Sequence, residues 1–126
     1  MSVEILVCIL CRPPGAPGDE PRAGLALYEA VQIAAFDVRP AFTIRPIECM
    51  SSCKRSCTVA FQSANKITYL FGDLSADEDS ARDILACAKN YHESPSGFMP
   101  RDSRPERMQA GILARIPVLQ GLETNA

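Results

Sequence analysis

Long apolar runs are missing from this sequence. The longest near the N-terminus, Ile5 to Cys11, has seven residues, far below the roughly 20 that a bilayer-spanning helix needs. No basic stretch precedes it and Glu4 adjoins it, so no signal peptide is expected. The cytoplasm is the expected compartment, with no membrane partner. Net charge is small as well, at −2, which gives no electrostatic reason to expect a nucleic-acid partner. No G-x-x-x-x-G-K-[ST] phosphate loop occurs, and the Pro/Gly loop 13–18 has no phosphate-binding pattern. The only histidine, His92, is far in sequence from the cysteine-rich stretches. That weakens a Cys–His nucleophile pair, and no catalytic residue is expected. There is no internal repeat.

Cysteine is what the chain has in quantity: six in 126 residues, at positions 8, 11, 49, 53, 57 and 87. In a reducing compartment, clustered cysteines hold metal or do redox work more often than they form disulfides. The rest of the composition, 47% apolar and 22% charged, is that of an ordinary globule of one domain.

Val3 to Val7 reads as a buried strand that ends in Cys8-Ile9-Leu10-Cys11. The loop that follows holds Pro13, Pro14, Gly15, Pro17 and Gly18. Asp19 is the expected N-cap of a helix from about Pro21 to Phe36, with Leu25, Tyr28, Val31 and Ala35 as its apolar stripe. Phe42 to Ile47 reads as a second strand leading into Cys49. Thr58–Gln62 and Lys66–Phe71 form a hairpin pattern. Ser75 with Glu78 three residues on makes a capping box for a second helix that ends before Pro95. The order β-α-β-β-β-α implies a mixed four-stranded sheet with flanking helices, an α/β layout close to thioredoxin. Residues 1–93 are the expected domain. Residues 94–126 are an expected extension packed on the domain or on a partner, with a short helix from Pro105 to Ile116 on which Met108, Ile112 and Arg115 are spaced as a face.

The cysteines fall into a C-x2-C after the first strand and a C-x3-C-x3-C after the second. A parallel βαβ unit brings both groups to the carboxyl ends of neighbouring strands, where α/β sheets place ligands. Thiolate sulfur is the ligand that iron–sulfur clusters and structural zinc sites use, in sets of four. Lys54 and Arg55 are expected to offset the charge of such a site, and backbone N–H groups of Met50-Ser51-Ser52 to donate to sulfur. Cys87 reads as a small core residue. Cys57 stays open, as a neighbouring thiol, a substitute ligand or the first residue of a core strand. A dithiol oxidoreductase using Cys8 and Cys11 is disfavoured, because Pro13 and Pro14 argue against a helix opening at Cys8. His92 reads as a helix C-terminal cation, and Asp77, Glu78 and Asp79 as first-turn acids. Arg101, Arg104 and Arg107 read as an exposed tail or a docking surface for an acidic partner.

Glu48-Cys49-Met50-Ser51-Ser52-Cys53 resembles the E-C-L-G-x-C signature of thioredoxin-like 2Fe–2S ferredoxins, and Tyr69 to Ser75 resembles their hairpin-to-helix ending. The resemblance spans about residues 3–92. It implies a 2Fe–2S cluster on Cys8, Cys11, Cys49 and Cys53, electron transfer to a redox partner protein, and a homodimer. The first cysteine pair is spaced more closely here than in that family, Cys57 is additional, and Ser51 stands for the glycine. The chain also resembles an uncharacterised bacterial group of predicted metal-binding proteins. The shared residues are the C-x2-C with Arg12, then Glu48 to Ala60 with Lys54 and Arg55, Tyr69 to Leu74, and Ile112 to Pro117. Genes of that group lie near cobalamin-synthesis functions, which implies as the alternative a zinc- or cobalt-binding module for metal handling.

Overall fold

The computed structural model describes residues 3–12, 15, 22–39 and 41–119, residue 53 by its backbone alone. The N-terminal aliphatic run forms β1, Glu4–Cys8, with Ile5 and Val7 fully buried between half-exposed Glu4 and Leu6. Helix α1, Ala23–Ala34, carries the chain across to β2, Thr43–Ile47, which pairs parallel with β1. The hairpin of β3, Val59–Gln62, and β4, Thr68–Phe71, follows, with β3 antiparallel to β1. Helix α2, Glu78–Glu93, packs against α1. A short helix α3, Arg107–Ala110, then leads into β5, Ile112–Ile116, antiparallel to β4. The strand order is β2-β1-β3-β4-β5. This is the expected thioredoxin-like arrangement with one strand added.

Three local expectations are corrected. The buried face of α1 is Gly24, Leu27 and Val31, while Leu25 is 41% exposed. The helix is apolar on most sides, so period alone cannot choose its inner face. The Asp19 cap and Pro21 lie outside the described residues. The N-cap of α2 is Asp77, whose carboxylate accepts the Ser80 N–H at 2.8 Å, and not Ser75. Ser75 instead donates its own N–H to the Ser80 hydroxyl. Finally, Ile112–Ile116 is a strand, not the end of a helix. Met108, Ile112 and Arg115 mimic a helical face, but Gly111 ends α3 and the open edge of β4 supplies ladder partners.

β2 forms the other edge of the sheet, a position where Pro46 costs no ladder bond. The core is built on Phe61, Tyr69, Phe71 and Tyr91, with ring centroids 5.5–6.2 Å apart. The C-terminal segment straps onto this core. Met99 and Met108 are buried, Met99 donates its N–H to the Tyr69 hydroxyl at 2.8 Å, and Arg107 pairs with Asp83 at 2.7 Å. Cys87 is buried against Met99, its Sγ 3.6 Å from the Met99 sulfur. Burial pushes its thiol up to about 12, as suits a core residue.

Because Met108 is fully buried, Met108→Ala is expected to lower stability by about 2–5 kcal/mol in urea unfolding. A loss below about 0.5 kcal/mol would show that the strap is not part of the cooperative unit.

Candidate metal centre

The parallel register sets Cys8 opposite Ile47, and the Ile9 N–H donates to the Ile47 carbonyl at 2.9 Å. Both cysteine stretches therefore leave the sheet at one end, side by side. Cys8 is the last residue of β1, and Cys11 follows one turn later. The Cys11 carbonyl accepts the Gly24 N–H at 3.0 Å, which seats the start of α1 on the turn. Contact is so close that a Cβ on Gly24 would lie 2.0 Å from the Cys8 carbonyl oxygen. Only glycine fits there.

Cys8 and Cys11 are both buried, and each shifts the other's titration. Burial, then the neighbouring Cys11 thiol, pushes the Cys8 thiol above its ordinary value, although the Leu10 and Met50 backbones pull the other way. Burial also pushes Cys11 upward. The Thr58 hydroxyl, 3.4 Å from its sulfur, the Cys8 thiol, the Ser56 hydroxyl and the Thr58 backbone outweigh that and hold Cys11 below its ordinary value. Of the two, Cys11 gives up its proton more readily. Cys57 is buried in the same neighbourhood. Burial, with the charges of Cys11 and Cys8, pushes its thiol up to about 12. Cys57 is thus a neutral neighbour of the pair.

The second stretch reaches the first through its backbone. The Met50 backbone favours the charged form of Cys8, and the Ser56 hydroxyl donates to the Arg12 carbonyl at 3.2 Å. Cys49 is exposed, and its sulfur accepts the Ser51 N–H at 3.3 Å. Ser51 takes a left-handed φ of 59° to make that bond. Cys53 opens the 3-10 turn Cys53–Arg55. Among the described residues, no three His, Cys, Asp or Glu side chains are arranged to hold one metal ion. Cys8 and Cys11 are together, Cys49 stands at the surface, and the Cys53 side chain lies outside the described set.

The expected charge offset by Arg55 is corrected. Its guanidinium is tied to Asp73, with Nε at 2.9 and 3.0 Å from the two carboxylate oxygens. That pairing holds Asp73 below the usual carboxylate range. A different cation adjoins the cysteines in sequence: Arg12, whose Nε is buried without a hydrogen-bond partner. Gly24, Thr58, Ser56 and Asp73 shape the surroundings, and sequence reasoning assigned them no part. Gly24 carried a signal, as a glycine in the first turn of a helix just after a C-x2-C. The others carried none.

The donor chemistry fits a thiolate-bound metal or cluster. Sulfurs that already accept backbone N–H bonds are what such centres use to tune their ligands. A groove of about 690 Å³ lined by Glu4, Gln62, Lys66, Ile116 and Leu119 lies at the opposite end of the strands, away from every cysteine.

A family model describing a protein of unknown function, DUF1636, matches residues 5–118. The chain belongs to the DUF1636 family. No curated protein matches its sequence. Among solved structures, this DUF1636 chain is similar to a thioredoxin-like [2Fe-2S] ferredoxin from Aquifex aeolicus. Identity is 17% and the TM-score 0.58, over 90% of this chain and 92% of that one. A 1.5 Å crystal structure of the wild-type ferredoxin gives 17% identity and a TM-score of 0.57, over 90% and 97% of the two chains. A cysteine-to-serine variant gives 15% and 0.55, over 89% and 98%. At such identities the likeness establishes the fold. No helix among the described residues is long and apolar enough to cross a membrane.

Helix propensity alone would make Gly24→Ala stabilising by about 1 kcal/mol. The 2.0 Å approach to the Cys8 carbonyl predicts the opposite sign. We expect a destabilisation of at least about 2 kcal/mol, read by urea unfolding. An unchanged or raised midpoint would contradict the close packing of α1 on the cysteine turn.

Proposed function

We propose that this protein is an electron-transfer protein of the cytoplasm whose cluster, 2Fe–2S, is held by Cys8, Cys11, Cys49 and Cys53. The observation that carries this reading is the meeting of the two cysteine stretches. They leave adjacent parallel strands at one end, and Ser56 of the second stretch donates its hydroxyl to the Arg12 carbonyl just past the first. The likeness in fold to 2Fe–2S ferredoxins supports it. When bound, the cluster supplies a reversible one-electron couple. The chain supplies the surroundings. The Ser51 N–H donates to the Cys49 sulfur, and the Leu10 and Met50 backbones favour the charged form of Cys8; both favour the reduced charge state. Helix α1, seated through Gly24, keeps water from Cys8 and Cys11. Exposed Cys49 and Leu10 leave one side open to a redox partner.

The structure gives the dithiol alternative no support. The C-x2-C does not open a helix: Cys8 ends β1, and α1 begins only at Ala23. A zinc or cobalt ion on the same thiolates is the competing occupant, consistent with the resemblance to predicted metal-binding proteins.

Protein purified without oxygen is expected to be coloured, with iron and acid-labile sulfide in equal amounts and visible absorption that bleaches on reduction. Cys8→Ser, Cys11→Ser, Cys49→Ser and Cys53→Ser should each lose most of that absorption, while Cys57→Ser and Cys87→Ser keep it. A colourless, zinc-loaded sample would move the assignment to a single ion. Loss of colour only in Cys57→Ser would displace one of the four ligands named here.

A further inference from the structure

The turn that carries Cys53 is gripped by a second piece of chain. Its own closure is the bond from the Arg55 N–H to the Ser52 carbonyl at 2.9 Å. Arg55 then engages the link between β4 and α2. Its carbonyl accepts the Asp73 N–H at 2.7 Å, and its guanidinium holds the Asp73 carboxylate through both Nε and Nη2. Two residues on, Cys57 and Leu74 exchange backbone bonds at 2.9 and 3.2 Å. Asp73 sits at φ +60°, a left-handed conformation that Asp and Asn tolerate better than most residues. Gly72 has no room for a side chain, since a Cβ would meet both the Arg55 carbonyl and Leu113 at 2.7 Å. Its N–H donates to the Gly111 carbonyl at 2.8 Å. The C-terminal strap therefore backs the same link.

We infer that Asp73 and Arg55 are positioning residues for the second cysteine stretch. Together with the Gly111 brace, they set where the Cys49–Cys57 loop stands relative to Cys8 and Cys11. This deepens the assignment of that loop to a thiolate centre and rests on it for what the loop holds; the grip itself is seen in the bare chain. Both side chains are 48% exposed, so an ion pair there adds little to global stability. The two-pronged contact adds orientation instead, and its loss should loosen the loop without unfolding the domain.

Asp73→Asn keeps the left-handed backbone and removes the charge; Arg55→Gln removes the other partner. In metal-free protein, amide hydrogen exchange over residues 51–57 is expected to rise about fivefold in either variant, with β1, β3 and α2 unchanged. The double variant should do no more than either single one. Arg55→Lys, which keeps charge but lacks the fork, should recover only part of the effect. In metal-loaded protein the same variants should speed loss of metal to a chelator by a similar factor. Unchanged exchange over 51–57 in Asp73→Asn, or additive effects in the double variant, would overturn the inference. If the wild type holds no metal while the exchange still rises, the thiolate-centre assignment fails and the grip stands.

Discussion

Cys8 lies opposite Ile47 in the parallel pair of β1 and β2, and the Ile9 N–H bonds the Ile47 carbonyl just beyond it. This pairing dictates the rest. Parallel neighbours need a crossover, here α1, and both strands then release their chains at the same end. The C-x2-C turn and the Cys49–Cys57 loop become neighbours although some forty residues separate them. Slipping the register by one residue would turn Cys8 to the other face and place the Val7 side chain where a sulfur now sits.

The crossover must also land. Helix α1 returns onto the cysteine turn at van der Waals contact, which Gly24 alone permits, and the Cys11 carbonyl caps the approach by accepting the Gly24 N–H. The consequence is electrostatic. Cys8, Cys11 and Cys57 are nearly free of solvent, so three thiols cannot all ionise there. The surrounding donors favour ionisation at Cys11, and burial keeps Cys57 a thiol. A bound cation or cluster is the natural counterweight to sulfur charge in such a pocket. The buried, unpartnered Nε of Arg12 is a further donor close by in sequence.

Much of the fold was legible because its signals are local. The aliphatic run of β1, the hairpin around Asn65 and the amphipathic pattern of α2 each specify an element without help from the rest. Two of the failures share one cause. Ile112–Ile116 is a strand because β4 offers an unpaired edge, and nothing within the segment announces that partner. The inner face of α1 is chosen by what it packs on, since Leu25 and Leu27 are equally apolar. Within the site, the cysteine spacing announced the two stretches. Thr58, Ser56 and Asp73 are common residue types whose roles exist only once distant backbone segments meet. Arg55 shows the converse: its charge was visible, its commitment to Asp73 was not.

The central claim is that one centre joins both cysteine stretches. Crystals grown without oxygen and measured at the iron absorption edge test it most directly. Anomalous density bonded to the sulfurs of Cys8, Cys11, Cys49 and Cys53 is the expected result. Iron located anywhere else, or none between these two stretches, would contradict the account.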